Sequence, residues 1–126
     1  MELIHTCYRV TDPERSVAFY EALGLEKRRE LPIRDEAVNY FLGVPGKESP
    51  ELELTHNFGV DSYKLGTGYG HIALTVDDLD GTLVQLAGQG IEPERPPYQV
   101  SEGGSFLCFV RDPDGYRVEL IERTAK

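Results

Sequence analysis

HTCYRVTD at residues 5–12 falls on HIALTVDD at residues 71–78 when the sequence is slid against itself by 66 positions. Each segment opens on a histidine, runs through strand-like residues and ends in an aspartate. Outward from this match the correspondence continues in order and without a gap. Gly24 falls on Gly90, Leu25-Glu26 on Ile91-Glu92, Val44 on Val110, and Glu53-Leu54 on Glu119-Leu120. The chain holds 14 glutamates, so a single Glu-on-Glu match is expected by chance at any offset. The ordered run carries the argument, and it reads as one structural unit used twice.

Each copy reads as one strand, one helix and three strands. In the first copy, residues 3–10 form a strand, and Asp12 caps the helix that follows. Pro13 takes the first helical position, where a missing N–H costs nothing. Val17, Tyr20 and Leu23 give the helix its apolar stripe, and Gly24 ends it. Residues 25–33, 37–44 and 51–57 read as strands, with VPGKESP at 44–50 as the turn between the last two. In the second copy, residues 70–76 form a strand and Asp77 or Asp78 caps a helix carrying Leu79, Leu83 and Leu86. Gly90 stops it. Strands follow near Ile91, over 106–110 and over 116–121, and DPDG at 112–115 is a hairpin turn. DSYKLGTGYG at 61–70 links the copies. A module of about 60 residues buries little alone. The expectation is therefore one α+β domain over residues 1–126, made of modules at about 1–60 and 67–126.

Composition narrows the function. The chain has 126 residues, 22 acids and 13 bases, a formal net charge of −9. That balance argues against nucleic acid as a partner, because phosphate contacts need clustered Lys and Arg. It would also repel an anionic membrane, and no apolar run approaches the roughly 20 residues that span a bilayer. MELIHTCYRV has no basic segment leading into a long apolar stretch, so no secretory signal is expected. Cys7 and Cys108 sit inside apolar strand-like runs and read as small core residues with reduced thiols, which points to a cytoplasmic setting. The glycine-containing segments TGYG and EGGS lack the lysine of a phosphate loop.

His5, Glu53, His71 and Glu119 occupy two pairs of equivalent repeat positions. Alone, each has an ordinary explanation: a hydrogen-bonded strand histidine, or a glutamate on the solvated face of a half-buried strand. Together at matched positions they point to a shared divalent cation. Two imidazoles and two carboxylates, completed by waters, suit octahedral Ni²⁺, Co²⁺ or Zn²⁺. A closed structural zinc would favour cysteine, and the two cysteines lack CxxC spacing. Strand alternation places His5, Cys7 and Arg9 on one face, and Glu51, Glu53 and Thr55 on one face opposite Leu52 and Leu54. Arg117, Glu119 and Ile121 likewise point away from Val118 and Leu120. His56 falls on Glu122, not on a histidine, and reads as a strand-end or exposed residue.

LIHTCYRVTDPERSVAFYEALGLE, LELTHNFGVDSYKLGTGYGHIALTVDD and FVRDPDGYRVELIE resemble glyoxalase I, the lactoylglutathione lyases of the vicinal-oxygen-chelate superfamily. The resemblance covers nearly the whole chain, which looks like the short bacterial form. It implies paired βαβββ modules forming a curved mixed sheet, and a homodimer with two active sites at the subunit interface. His5 and Glu53 of one subunit would bind metal with His71 and Glu119 of the other, one divalent ion per site. Ni²⁺ or Co²⁺ is favoured for the short form and Zn²⁺ is possible. Arg9 and Asn57 match positions that hold the glutathione moiety, and a guanidinium pairs well with a carboxylate.

The activity implied is isomerisation of the hemithioacetal of methylglyoxal and glutathione, or another thiol, to the S-lactoyl thioester through a metal-stabilised enediolate. By resemblance, Glu119 is the principal base and Glu53 serves the opposite face. One departure stands out. Relatives often carry a lysine just before the glycine pair of the loop ahead of the penultimate strand. VSEGGSF has Glu102 there, which weakens attraction for the glycine carboxylate of glutathione. Competing readings are an epimerase of the same superfamily, an extradiol dioxygenase using two His and one carboxylate around Fe²⁺, and a non-catalytic ligand-sequestering protein. The first needs room for a bulky anionic carrier. The second would be crowded by Glu53 as a fourth ligand. The third would not need all four residues.

Overall fold

The computed structural model describes residues 1–123 and divides into two compact units, residues 1–64 and residue 65 onward. The first unit runs β1 (His5–Arg9), α1 (Pro13–Ala22), β2 (Glu26–Ile33), β3 (Ala37–Gly43) and β4 (Glu51–Asn57). Its four strands form one sheet in the order β1-β4-β3-β2, with β1 parallel to β4 and the other pairs antiparallel. The second unit runs β5 (Ile72–Val76), α2 (Leu79–Ala87), β6 (Tyr98–Gln99), β7 (Phe106–Arg111) and β8 (Arg117–Glu122). Its sheet has the equivalent order, β5-β8-β7-β6, with β5 parallel to β8. The fold is α+β, two four-stranded mixed sheets with two helices. Among the described residues, no helix is long and apolar enough to cross a membrane.

Period-two alternation decides what each sheet buries. In the first unit Tyr8, Val10, Leu42, Leu52 and Leu54 are buried, and Tyr8 pairs with Leu54 as Leu42 does with Leu52. Helix α1, which contacts β2, β3 and β4, adds Phe19 and Tyr20 to this layer. In the second unit Cys108, Val110, Val118 and Leu120 are buried in paired register, with Leu79 and Leu86 supplied by α2. Each fully buried Leu contributes about 1.5–3 kcal/mol of transfer free energy.

Both helices begin and end as their sequences dictate. Asp12 Oδ1 accepts from Arg15 N at 3.3 Å, with Pro13 in the first turn. Asp78, not Asp77, caps α2: its Oδ1 accepts from Gly81 N at 3.0 Å, and Glu122 Oε2 accepts a second free amide, Leu79 N, at 2.9 Å. At the far ends Gly24 and Gly90 adopt φ of +102° and +81°. The next amide then bonds back five residues, Leu25 N to Tyr20 O at 3.1 Å and Ile91 N to Leu86 O at 3.0 Å. These are Schellman ends, and the left-handed backbone is why glycine stands at both positions.

Three elements differ from the sequence expectation. Helix α1 buries Ser16, Phe19 and Tyr20, while Val17 is half-buried and Leu23 is the C-cap. The two aromatics turn toward the sheet, and the small Ser16 permits close approach on the same face. No strand forms at Ile91. Pro93, Pro96 and Pro97 remove ladder donors over that stretch, leaving Glu94 N to Phe109 O at 2.8 Å and the two-residue β6. Cys7 is exposed, not in the core. It alternates with the buried Tyr8 and so shares the outward face with His5 and Arg9. Cys108 is buried as expected. Arg28, set off by a register shift in β2, clamps the 44–50 turn. Its guanidinium donates to the carbonyls of Val44 at 2.8 Å, Glu48 at 3.2 Å and Lys47.

Candidate functional site

The same strand geometry builds one histidine–glutamate pair in each unit. Glu53 on β4 lies across from Cys7, two residues past His5. Glu119 on β8 lies across from Ala73, two residues past His71. Neighbouring parallel strands thus offset each acid from its histidine by one pleat repeat, a distance a glutamate side chain spans. His71 Nε2 and Glu119 Oε1 are 2.9 Å apart, and His5 Nε2 and Glu53 Oε1 are 3.9 Å apart. The carboxylates are mostly covered, at 14–15% exposure, while the imidazoles are about one-third exposed.

These pairs fit a divalent cation. Two ligands about 2.0–2.2 Å from one ion and at right angles lie about 3 Å apart. The His71–Glu119 separation matches that spacing, and His5–Glu53 is about 1 Å wider. One imidazole nitrogen and one carboxylate oxygen per pair is a donor set for Ni²⁺, Co²⁺ or Zn²⁺. Among the described residues, no group of three or more His, Cys, Asp or Glu gathers around one point. The donors come in twos, one pair from each unit.

Arg9 and Asn57 end β1 and β4 on the face that carries His5 and Glu53. Each lies four residues along from its pair member, roughly 13 Å at strand rise. That length suits a ligand extended along the sheet. Asn57 Nδ2 donates to Tyr63 OH at 3.0 Å, so Tyr63 holds the amide in place. No motif flags Tyr63, because its partner is known only once the chain beyond β4 folds back. Tyr63→Phe is expected to cost about 1 kcal/mol of stability, the loss of one hydrogen bond. Thermal denaturation checks it.

Other residues on or near this face have assigned surroundings. Cys7 Sγ lies 3.3 Å from Thr55 Oγ1, which donates to Asn39 Oδ1 at 2.8 Å. The cover of neighbouring atoms pushes the Cys7 thiol up, so it stays protonated at neutral pH. His56 shares the alternation of Leu52 and Leu54, opposite Glu53, and stacks edge-on to Phe58 at 5.6 Å. Glu102 is exposed in the loop between β6 and β7. Asp112, buried at 5% exposure, accepts at Oδ1 from Asp114 N and Tyr116 N, both at 2.9 Å, and so ties the DPDG turn that joins β7 to β8.

The profile of the Glyoxalase/Bleomycin resistance protein/Dioxygenase superfamily matches residues 2–120. A lactoylglutathione lyase of Haemophilus influenzae is 40% identical over 125 residues, covering 97% of this chain and 93% of that protein. One from Arabidopsis thaliana is 42% identical over 123 residues, 95% of this chain. The chain spans only 44% of that plant relative's length. A solved glyoxalase I variant from Zea mays superposes with a TM-score of 0.89 at 38% identity, over 98% of this chain and 45% of the maize chain. From the duplicated sheets, the paired His–Glu side chains and these likenesses, the chain belongs to the glyoxalase/bleomycin resistance protein/dioxygenase superfamily, within its lactoylglutathione lyase family.

Proposed function

We propose that this protein is a lactoylglutathione lyase that converts the hemithioacetal of methylglyoxal and a thiol to the S-lactoyl thioester. The observation that carries this reading is the equal register of two His–Glu pairs, His5–Glu53 and His71–Glu119, on their sheets. Likeness to named lyases over nearly the whole length of the bacterial relative supports it. The four side chains would hold one divalent cation per site, with Ni²⁺ or Co²⁺ favoured and Zn²⁺ allowed. In a homodimer, one pair would come from each subunit. The cation, when bound, supplies Lewis acidity that eases loss of the carbon-bound proton.

The chain's own residues do the rest. A Glu119 carboxylate oxygen takes that proton and returns it to the adjacent carbon, and Glu53 serves the opposite face. Arg9 offers two-point recognition to a carboxylate of the thiol, and Asn57, held by Tyr63, offers amide hydrogen bonds. The thiol is glutathione or a relative. Glu102, exposed beside its glycine pair, favours a second reading in which the thiol lacks a free terminal carboxylate. The two free thiols suit a reducing, cytoplasmic setting.

The test is metal-stripped protein reloaded with each cation and assayed for thioester absorbance from methylglyoxal with glutathione and with other thiols. Recovery with Ni²⁺ or Co²⁺ is expected. No thioester with any metal and thiol, alongside tight binding of a small ligand, would point to a sequestering protein.

A further inference from the structure

Each histidine of the candidate site rests against a phenylalanine that lies directly across from the glutamate of its pair. Phe109 is the register partner of Glu119, and its ring meets His71 edge-on with centroids 4.8 Å apart at 88°. Phe41 is the register partner of Glu53 and meets His5 at 6.1 Å and 76°. Both phenylalanines are nearly buried, at 8% and 5% exposure. Each carries a guanidinium over its ring: Arg117 at 3.8 Å from the Phe109 centroid and Arg29 at 3.9 Å from that of Phe41.

The arginines are themselves fixed by an acid that bridges two of them. Glu94 receives two hydrogen bonds from Arg117, at 2.9 and 2.8 Å, and pairs with Arg111 at 2.8 Å. Arg117 holds the Glu94 carboxyl below the usual carboxylate range. Glu51 pairs with Arg29 at 3.1 Å and Arg28 at 3.5 Å. Glu51 and Arg117 are equivalent at the 66-residue offset, and so are Arg28 and Glu94. The charges at equivalent positions are exchanged, yet an arginine ends over the phenylalanine in both units. A duplicated sequence alone would repeat the charges; what is repeated is the covered ring.

We propose that Phe41 and Phe109, each capped by an arginine, are positioning residues that fix the imidazole planes of His5 and His71 and aim Nε2 toward the paired glutamate. This rests on the reading of those histidines as metal ligands. The arginine cap removes the freedom of the ring, and the fixed ring removes that of the imidazole, so less ordering remains when a cation binds.

Cobalt titration of metal-stripped protein tests this without any turnover, reading affinity and the visible d–d spectrum. Phe109→Leu is expected to weaken Co²⁺ binding by about 10–100-fold and to alter the spectrum, with the circular dichroism of the wild type. Arg117→Gln is expected to give a smaller loss that Arg117→Lys, which keeps a cation over the ring, largely restores. His71→Ala is the control and is expected to abolish binding. Wild-type affinity and spectrum in both Phe109→Leu and Arg117→Gln, with binding lost in His71→Ala, overturns the positioning role alone. Undiminished binding in His71→Ala overturns the ligand reading beneath it. If Phe109→Leu does not fold, Arg117→Gln, at the surface, decides the matter.

Discussion

Glu119→Gln is expected to lower turnover by about 10²–10⁴-fold, the usual contribution of a positioned general base, with the fold intact. The substitution keeps size and shape. Glu119 projects from β8 on the side away from Val118 and Leu120, which are at 0% and 1% exposure, so the core is untouched. An amide cannot accept a proton at the oxygen 2.9 Å from His71 Nε2, and it brings no negative charge to a cation. The check is kcat of metal-saturated variant against wild type, with circular dichroism of both. A near-normal kcat would remove Glu119 from the role of base. Glu53→Gln, run alongside, tells whether the other pair contributes to the same step.

Asp112→Ala is expected to cost roughly 3 kcal/mol of stability, because it strips the charged, buried acceptor from two backbone amides of a half-buried turn. The amides of Asp114 and Tyr116 both bond to Asp112 Oδ1 at 2.9 Å. Further backbone bonds, Asp112 N to Tyr116 O and Gly115 N to Asp112 O, also at 2.9 Å, close the same turn. For a chain of this size the melting temperature should fall by roughly 10 °C. The turn sets the register that places Phe109 across from Glu119, so metal affinity should fall with stability. Thermal denaturation checks the first effect, and a change under about 1 kcal/mol would show that water replaces the carboxylate at little cost.

Local chemistry made much of this legible in the sequence. Asp12, Pro13 and Gly24 bound α1 because caps and chain reversals depend on the residue itself. ELELTHN reads as a strand because alternation states both its faces, and β4 spans Glu51–Asn57 as expected. The 66-residue offset brought out both His–Glu pairs, and the structure sets each glutamate across from the residue two past its histidine. Contacts that depend on distant partners were not legible. Arg28 is one strand charge among several until the 44–50 turn folds beneath it. That Phe41 and Phe109, both buried, touch the histidines follows only from strand order. Cys7 was misassigned because an apolar neighbourhood does not say which face a small residue takes. Ser16 escaped the helix stripe because burial there follows from close approach, not hydrophobicity.

The most direct test of the central claim is metal stoichiometry, measured on the intact protein and on His5→Ala, Glu53→Gln, His71→Ala and Glu119→Gln. If the two His–Glu pairs together hold a cation, the wild type binds one divalent ion per chain, and a change in either pair weakens binding by at least about 10-fold, to complete loss in His71→Ala. Full stoichiometry and unchanged affinity in variants of one pair would show that the pairs do not share an ion, and would contradict the account.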